Sequence, residues 1–364
     1  MVRTEFGPGF VERLPEFAAE LGGSRVFVVT DRGLRATGIV GRVEKIFAAA
    51  GVECLVHEDI GPNPATTELD RGAARLREYG AAVVIALGGG SALDAAKGIS
   101  LLAGNPGSLA ADADTLWSAS DGLPIVAVPT TSGTGAETNG FGVVEDTRLC
   151  WKVYIGHESV RPRIAVLDPE LTLGLPAPIT AATGLDALVH GVESLASRGA
   201  DAVSTADAAR AVALVGAWLP IAYRDGANLE ARSQLMLGAH LAGHALTRSG
   251  LGLVHGLGHA ITARTGTPHG VALAAVLEEV MTYTAPFAVT AYATVADSLR
   301  APTAVDAVRA ISTAVDLKRP LRAFGLTRAD LPAVASAALA DAVTKNAPRS
   351  PRQDEVEELL ASVY

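Results

Sequence analysis

The sequence predicts two domains in series: an α/β domain on a parallel sheet over residues 1–178, then an all-helical domain over residues 179–364. Three observations predict this. The chain has 364 residues, whereas single hydrophobic cores stop growing at about 250–300. Its first half carries short, continuous apolar runs separated by amphipathic stretches, the pattern of strands covered by helices on both faces. Its second half carries long helical patterns and hardly any strand signal. The rhythm changes at Leu175-Pro176-Ala177-Pro178, a run that breaks regular structure.

Taken in order, residues 25–30 read as a buried strand, followed by an amphipathic stretch through Arg42 and Ile46. Residues 53–57 and 81–87 read as two more strands, the latter ending in Gly88-Gly89-Gly90. Residues 125–128, stopped by Pro129, and 164–167 complete the set. Residues 110–121 read as a polar, acidic and mobile loop. Beyond the break, helices are expected over 181–197, 202–223, 229–245 and 271–283. The chain stops at Tyr364, early enough that the last helices are expected to be short or missing.

Composition narrows the function. An apolar fraction of 49% excludes a disordered chain. A net charge of −9 argues against nucleic acid and against an anionic membrane surface. The two cysteines, Cys54 and Cys150, are too few for a disulfide framework or a thiolate zinc site. No signal-like apolar segment opens the chain, and no apolar run approaches the roughly 18 residues of a membrane span. The expectation is a soluble, cytoplasmic protein.

Two turns carry chemistry. Gly88-Gly89-Gly90-Ser91 follows a strand and opens a helix that includes Asp94 and Lys97. Consecutive glycines bring backbone N–H groups close to a phosphate, and the helix N-terminus favours an anion there. The spacing departs from the dinucleotide fingerprint, because Leu93 stands where a third glycine is expected. Pro129-Thr130-Thr131-Ser132-Gly133-Thr134-Gly135 follows another strand and offers hydroxyls without bulk. Two such turns favour a cleft at the carboxyl ends of the strands. Asp31, at the end of the first run, suits either a ribose hydroxyl or a helix N-cap.

The histidines cluster. Five of the eight fall between His240 and His269. Asp186 and His190 are four apart on an expected helix and share a face, as do His255 and His259; His269 follows. Imidazole and carboxylate without thiolate suit a borderline divalent ion, Fe(II) or Zn(II), and four such ligands make a Lewis-acid site. His240 and His244 form a rival pair, read as pocket or core residues because no carboxylate stands one helical turn away.

These segments, with Val29-Thr30-Asp31, Pro62-Asn63-Pro64 and Leu167-Asp168-Pro169-Glu170-Leu171, resemble the iron-containing, or group III, alcohol dehydrogenase family. The resemblance runs from Phe6-Gly7-Pro8-Gly9 to about Tyr283. It implies the fold shared with dehydroquinate synthase: a nucleotide-binding domain, a helical metal domain, and catalysis in the cleft between them. It implies Asp186, His190, His255 and His269 as metal ligands, with Fe(II) or Zn(II) bound. It implies Asp31, Asn63, Gly89, Gly90, Ser91, Asp94, Thr130, Thr131, Thr134 and Lys152 as contacts of NAD(H), Asp31 favouring NAD over NADP. His259 takes the place of a histidine beside the metal and is the candidate proton relay. Phe141, Leu246 and Arg248 are assigned to the substrate side. The implied reaction is hydride exchange between the nicotinamide and the carbinol carbon of a primary alcohol, the metal polarising the substrate oxygen. The implied partner is a small-molecule alcohol or aldehyde, and the implied state a homodimer or larger homo-oligomer.

Two departures bear on the substrate. Leu246-Thr247-Arg248-Ser249 replaces a family run of the Phe-Ser-Asn-Ala type, and Arg248 suits an anionic aldehyde, a carboxylate or phosphonate. The plainer reading of Arg248 is a surface salt bridge. Leu277-Glu278-Glu279-Val280 replaces a Leu-Pro-His-Val run, altering a pocket wall or an interface. Two alternatives stand beside the leading reading. Maleylacetate reductases lack the full metal set, and dehydroquinate-synthase-like lyases return their NAD unchanged. A nucleotide- or metal-sensing protein is the non-enzymatic alternative.

Overall fold

The computed structural model describes residues 2–146, 148 and 151–364, with only the backbone of Trp151. Cys150 therefore lies outside the described residues, and Cys54 is a free thiol. Two compact units form. One takes the chain up to Thr131 and again over Ala136–Gly174; the other takes Ser132–Gly135 and Leu175–Tyr364.

The first unit contains eight strands among its described residues: β1 (Arg3–Phe6), β2 (Arg25–Val29), β3 (Glu53–His57), β4 (Val83–Gly88), β5 (Ile125–Pro129), β6 (Phe141–Asp146), β7 (Trp151–Gly156) and β8 (Ile164–Leu167). Six form a parallel sheet in the order β1-β8-β5-β4-β2-β3. Helices α1 (Leu14–Glu20), α2 (Arg32–Ala36), α3 (Ile39–Ala49), α4 (Thr66–Tyr79), α5 (Gly90–Gly104) and α6 (Ala113–Leu116) complete it. Val26, Val28, Val83 and Ile85 bury one sheet face beneath α1 and α3; Phe27, Val84 and Ala86 bury the other among α4 and α5 residues. Double-sided burial is why these strands read as unbroken apolar runs. The chain winds outward from β2 to β3, then returns past β2 to β4 and β5. The winding therefore reverses between β2 and β4, the place where open α/β sheets bind ligands.

Three elements differ from the expectations. β1 is an edge strand whose residues Arg3, Thr4 and Phe6 are exposed, so it carries no apolar run to detect. β6 and β7 form a separate antiparallel hairpin in which β6 is half-buried and Gly142 pairs with Ile155. Residues 110–121 are anchored rather than loose. Ala110, Ala113 and Leu116 are buried at one-turn spacing, and the Ala110 N–H donates to Asp70 Oδ1 at 2.8 Å.

The second unit is helical: α7 (Ala177–Ala196), α8 (Ala202–Arg224), α9 (Leu229–Ser249), α10 (Leu253–Thr265), α11 (His269–Thr284), α12 (Val289–Ser298), α13 (Ala304–Ala314), α14 (Leu331–Ala340) and α15 (Gln353–Ser362). The last four are short, at 10 or 11 residues each, but not missing. Among the described residues α8 alone is long and apolar enough to cross a membrane. It packs against α7 and α9 instead, burying Val212, Val215 and Leu219 in the shared core.

Candidate active site

Helix α7 follows the Pro176-Ala177-Pro178 break and aims Asp186 and His190 from one face into the helical core, where both are buried. Helix α10 ends in Gly266, whose φ of 69° closes it in the left-handed region, and Pro268 precedes the start of α11. This tight reversal returns His269, the first residue of α11, beside His255 of α10. Gly270 makes the return possible: a Cβ there would lie 2.0 Å from the Ala182 carbonyl oxygen of α7.

The four residues converge on one carboxylate oxygen. Asp186 Oδ1 lies 3.3 Å from His190 Nε2, 3.4 Å from His255 Nε2 and 3.9 Å from His269 Nε2. The Asp186, His255 and His269 donor atoms fall within 4.8 Å of one another. The His190 and His255 rings stack at 4.7 Å. Asp186 Oδ1 and His255 Nε2 are buried and make no hydrogen bond. Two close polar atoms facing each other without bonding are costly in a helical core unless a further group satisfies both. Oxygen and imidazole donors without sulfur fit Fe(II) or Zn(II).

The electrostatics agree. Burial raises the Asp186 carboxyl, but the cationic forms of His190, His255 and His269 outweigh it and hold the group below the usual carboxylate range. Burial pushes His190 down to about 4. Burial acts the same way on His255, but Asp186 and Glu193 override it and raise that imidazole to about 9.

Two carboxylates that the sequence reading did not single out complete the surroundings. Glu193 Oε2 accepts from His255 Nδ1 at 2.6 Å. It stands seven residues after Asp186 on α7, a spacing that keeps both on one face. Asp341 Oδ2 accepts from His259 Nδ1 at 2.8 Å. The His259 ring stacks on His269 at 5.1 Å and meets His255 edge-on at 6.0 Å. His259 therefore borders the ligand set with Nδ1 engaged.

In the first unit, Asp31, the glycine turn and the Thr130-Thr131 turn leave the same ends of the adjacent strands β2, β4 and β5. Asp31 Oδ1 caps α2 by accepting from the Leu34 N–H at 2.8 Å. Its Oδ2 lies 3.6 Å from where a Gly88 Cβ would stand. The cap and a position over the glycine turn thus coexist. Gly88 has φ 149°, and a Cβ there would meet Ala92 Cβ at 2.7 Å, so only glycine fits. Gly89 begins α5 without a side-chain cap, leaving the first N–H groups of Gly90 and Ser91 without one. Thr131 packs beside Gly89, its Cγ2 3.3 Å from where a Cβ on that glycine would stand. Lys152 Nζ donates to Asn63 Oδ1 at 2.8 Å, and Asn63 has φ 54°. Asp94 Oδ2 accepts from the Val143 N–H at 3.0 Å, and its Oδ1 lies 3.4 Å from the buried Lys97 ammonium. Thr134 belongs to the short segment that packs with the helical unit.

Of the residues assigned to the substrate, one belongs to the first unit and two to α9 of the second. Phe141 lies in β6, where its carbonyl accepts from Lys97 at 2.6 Å. Leu246 is buried in α9. Arg248 is exposed and held at two points: Nε and Nη2 lie 3.1 and 2.5 Å from Asp201 Oδ2. Asp201 caps α8, and Arg248 holds its carboxyl below the usual range. His244 pairs with Asp207 of α8 at 3.2 Å, so its carboxylate comes from a neighbouring helix. Glu278 is buried against Arg309 and Lys318, at 2.8 and 3.2 Å; it ties α11 to α13 and the segment after it.

A glycine turn at a sheet switch point and a buried aspartate ringed by imidazoles are the features of an enzyme that binds a nucleotide and a metal ion. Residues 2–169 match the family model "Iron-containing alcohol dehydrogenase", and residues 180–364 match "Fe-containing alcohol dehydrogenase family, C-terminal". The chain is 33% identical over 372 residues to a 1,3-propanediol dehydrogenase of Citrobacter freundii, covering 99% of this chain and 96% of that protein. A crystal structure of 1,3-propanediol oxidoreductase superposes with a TM-score of 0.94 at 31% identity, covering 100% and 98% of the two chains. A sulfoacetaldehyde reductase of Bifidobacterium kashiwanohense, solved in complex with NAD+, superposes with a TM-score of 0.88 at 27% identity, covering 100% and 96%. The chain belongs to the iron-containing alcohol dehydrogenase family and is an NAD-linked oxidoreductase interconverting an alcohol and its aldehyde.

Proposed function

We propose that this enzyme acts on a small primary alcohol or its aldehyde, with Asp186, His190, His255 and His269 holding the metal, Fe(II) in first place and Zn(II) in second. One observation carries the assignment: the buried Asp186 Oδ1, ringed by three imidazole Nε2 atoms, has no hydrogen-bond partner. The metal, when bound, supplies Lewis acidity to a substrate oxygen, and NAD(H) supplies or accepts the hydride. The protein's own groups do the rest. Asp31 takes the ribose hydroxyls and rejects a 2′-phosphate by like charge. The bare N-terminus of α5 takes the pyrophosphate. Asn63, braced by Lys152, and the hydroxyls of Thr130, Thr131 and Thr134 line the remaining cofactor surface. Asp341 holds His259 so that Nε2 accepts the alcohol's proton in oxidation and returns it in reduction.

A second reading narrows the substrate to an anionic aldehyde. The similarity to a sulfoacetaldehyde reductase favours it. Arg248 would have to leave Asp201 to serve such a substrate.

The test is anaerobic purification with metal analysis, followed by NADH-absorbance assays on neutral and anionic aldehydes with and without chelator. Near-stoichiometric iron or zinc and chelator-sensitive turnover are expected. Full activity in His255→Ala or His269→Ala protein would refute the ligand assignment.

A further inference from the structure

We propose that Glu193 is a positioning residue that aims His255 at the metal and locks helices α7 and α10 into one ligand frame. The inference rests on the metal reading above. Glu193 is buried, and its two oxygens serve two functions at once. Oε1 accepts from the Val254 N–H at 2.7 Å, and Oε2 from the His255 N–H at 3.3 Å. These are first-turn donors of α10, whose own N-cap residue, Gly252, offers no side chain. The carboxylate therefore caps α10 from another helix, where its charge also meets the positive end of the helix dipole.

The same Oε2 accepts from His255 Nδ1 at 2.6 Å. A carboxylate acceptor on Nδ1 forces the tautomer with a lone pair on Nε2, the nitrogen that faces Asp186 Oδ1 at 3.4 Å. Space for this clamp is reserved by Gly252, where a Cβ would lie 2.9 Å from Glu193 Oε1. Asp186, His190 and Glu193 share α7, so one helix supplies two ligands and fixes the orientation of a third on α10. Ring tautomer and helix register are set by a single side chain.

Zn(II) affinity, measured by competition with a chromophoric chelator, tests this on metal-stripped wild type, Glu193→Gln, Glu193→Ala and His255→Ala. The d–d absorption of the Co(II)-loaded proteins and thermal midpoints are read alongside. Glu193→Gln keeps an acceptor for the helix cap but no longer offers two carboxylate oxygens. It is expected to fold, to bind Zn(II) about 10–100-fold more weakly, and to shift the Co(II) bands. Glu193→Ala is expected to add a fall in thermal midpoint. Unchanged Zn(II) affinity and Co(II) spectrum in Glu193→Gln, with affinity lost in His255→Ala, overturn the proposal alone and leave Glu193 a helix cap. Unchanged affinity in His255→Ala overturns the metal reading and this proposal with it.

Discussion

His259 Nδ1 donates to the Asp341 carboxylate at 2.8 Å across 82 residues of sequence. The bond leaves Nε2 as the free nitrogen of an imidazole that stacks on His269. His255, one turn earlier and proposed as a ligand, makes the same kind of Nδ1–carboxylate bond to Glu193, so substitution rather than this geometry tells a ligand from a proton relay. His259→Ala is expected to retain the metal while kcat falls by about 10²–10⁴. Asp341→Asn, which keeps the ring in place but weakens control of the tautomer, is expected to lower kcat less and to leave KM nearly unchanged. Metal content and steady-state kinetics on the same preparations check both. Metal loss in His259→Ala would make that residue a ligand instead.

Removal of the metal is expected to destabilise the folded enzyme as well as silence it. An ion that binds only the folded state stabilises it by about 4 kcal/mol at a thousandfold excess over its dissociation constant. Chelation should therefore lower the thermal midpoint, with Zn(II) or Fe(II) restoring both midpoint and activity. Scanning calorimetry with and without chelator reads the first, and NADH absorbance the second. An unchanged midpoint would mean that the orphaned Asp186 Oδ1 is not the binding atom.

Asp31 combines a helix cap with a position over the glycine turn, and substitutions can separate the two. Asp31→Ser keeps a capping oxygen and removes the charge; Asp31→Ala removes both. Alanine is expected to cost about 1 kcal/mol of stability, and serine only a fraction of that. Both should relax discrimination against NADPH roughly tenfold or more, since like charges at about 4 Å repel by about 1–4 kcal/mol between water and a protein surface. Ratios of kcat/KM for NADH and NADPH, with denaturation midpoints, measure the two effects independently.

Arg248 is the residue whose sequence context most suggested an anionic substrate, and its guanidinium is already bound by Asp201 at two points. Arg248→Ala is expected to change kcat/KM for neutral and anionic aldehydes in parallel. Its stability effect should be small and salt-sensitive, because the pair is exposed. A selective loss on anionic aldehydes would show that the guanidinium leaves Asp201 for the substrate.

What the sequence disclosed follows from how local each signal is. Asp186 and His190 were legible because four residues on a helix is one face. Glu193, seven residues after Asp186, lay on the same face and carried a usable signal, but an acidic residue on a helix is usually solvated and so does not stand out. Asp341 carried none, since its meeting with His259 depends on a short turn far along the chain. The buried strands β2, β4, β5 and β8 were legible as apolar runs, and the half-buried edge strand β3 by its short Cys54-Leu55-Val56 run. β1 was not, because an edge strand with exposed residues keeps no apolar run. The pairing of Arg248 with Asp201 was equally hidden, as it joins the end of α9 to the start of α8 across 47 residues.

The tight backbone approach beside His269 gives the sharpest stability prediction. A Cβ on Gly270 would stand 2.0 Å from the Ala182 carbonyl oxygen and 3.0 Å from its Cα, both rigid parts of α7. Gly270→Ala must therefore push the first turn of α11 away from α7, and His269 moves with it. Metal–imidazole bonds of about 2.0–2.1 Å tolerate little displacement. The variant is expected to lose about 1–3 kcal/mol, as overpacked sites do, and to lose most of its metal. Gly266→Ala is the matched control. It sits four residues away with φ 69°, and a Cβ there would meet nothing within 4 Å. Its cost is backbone strain of about 1–2 kcal/mol, without displacement of His269. Equal thermal destabilisation with metal retained in Gly266→Ala and lost in Gly270→Ala would separate ligand geometry from general stability. Equal metal content in the two would show that His269 does not depend on this approach.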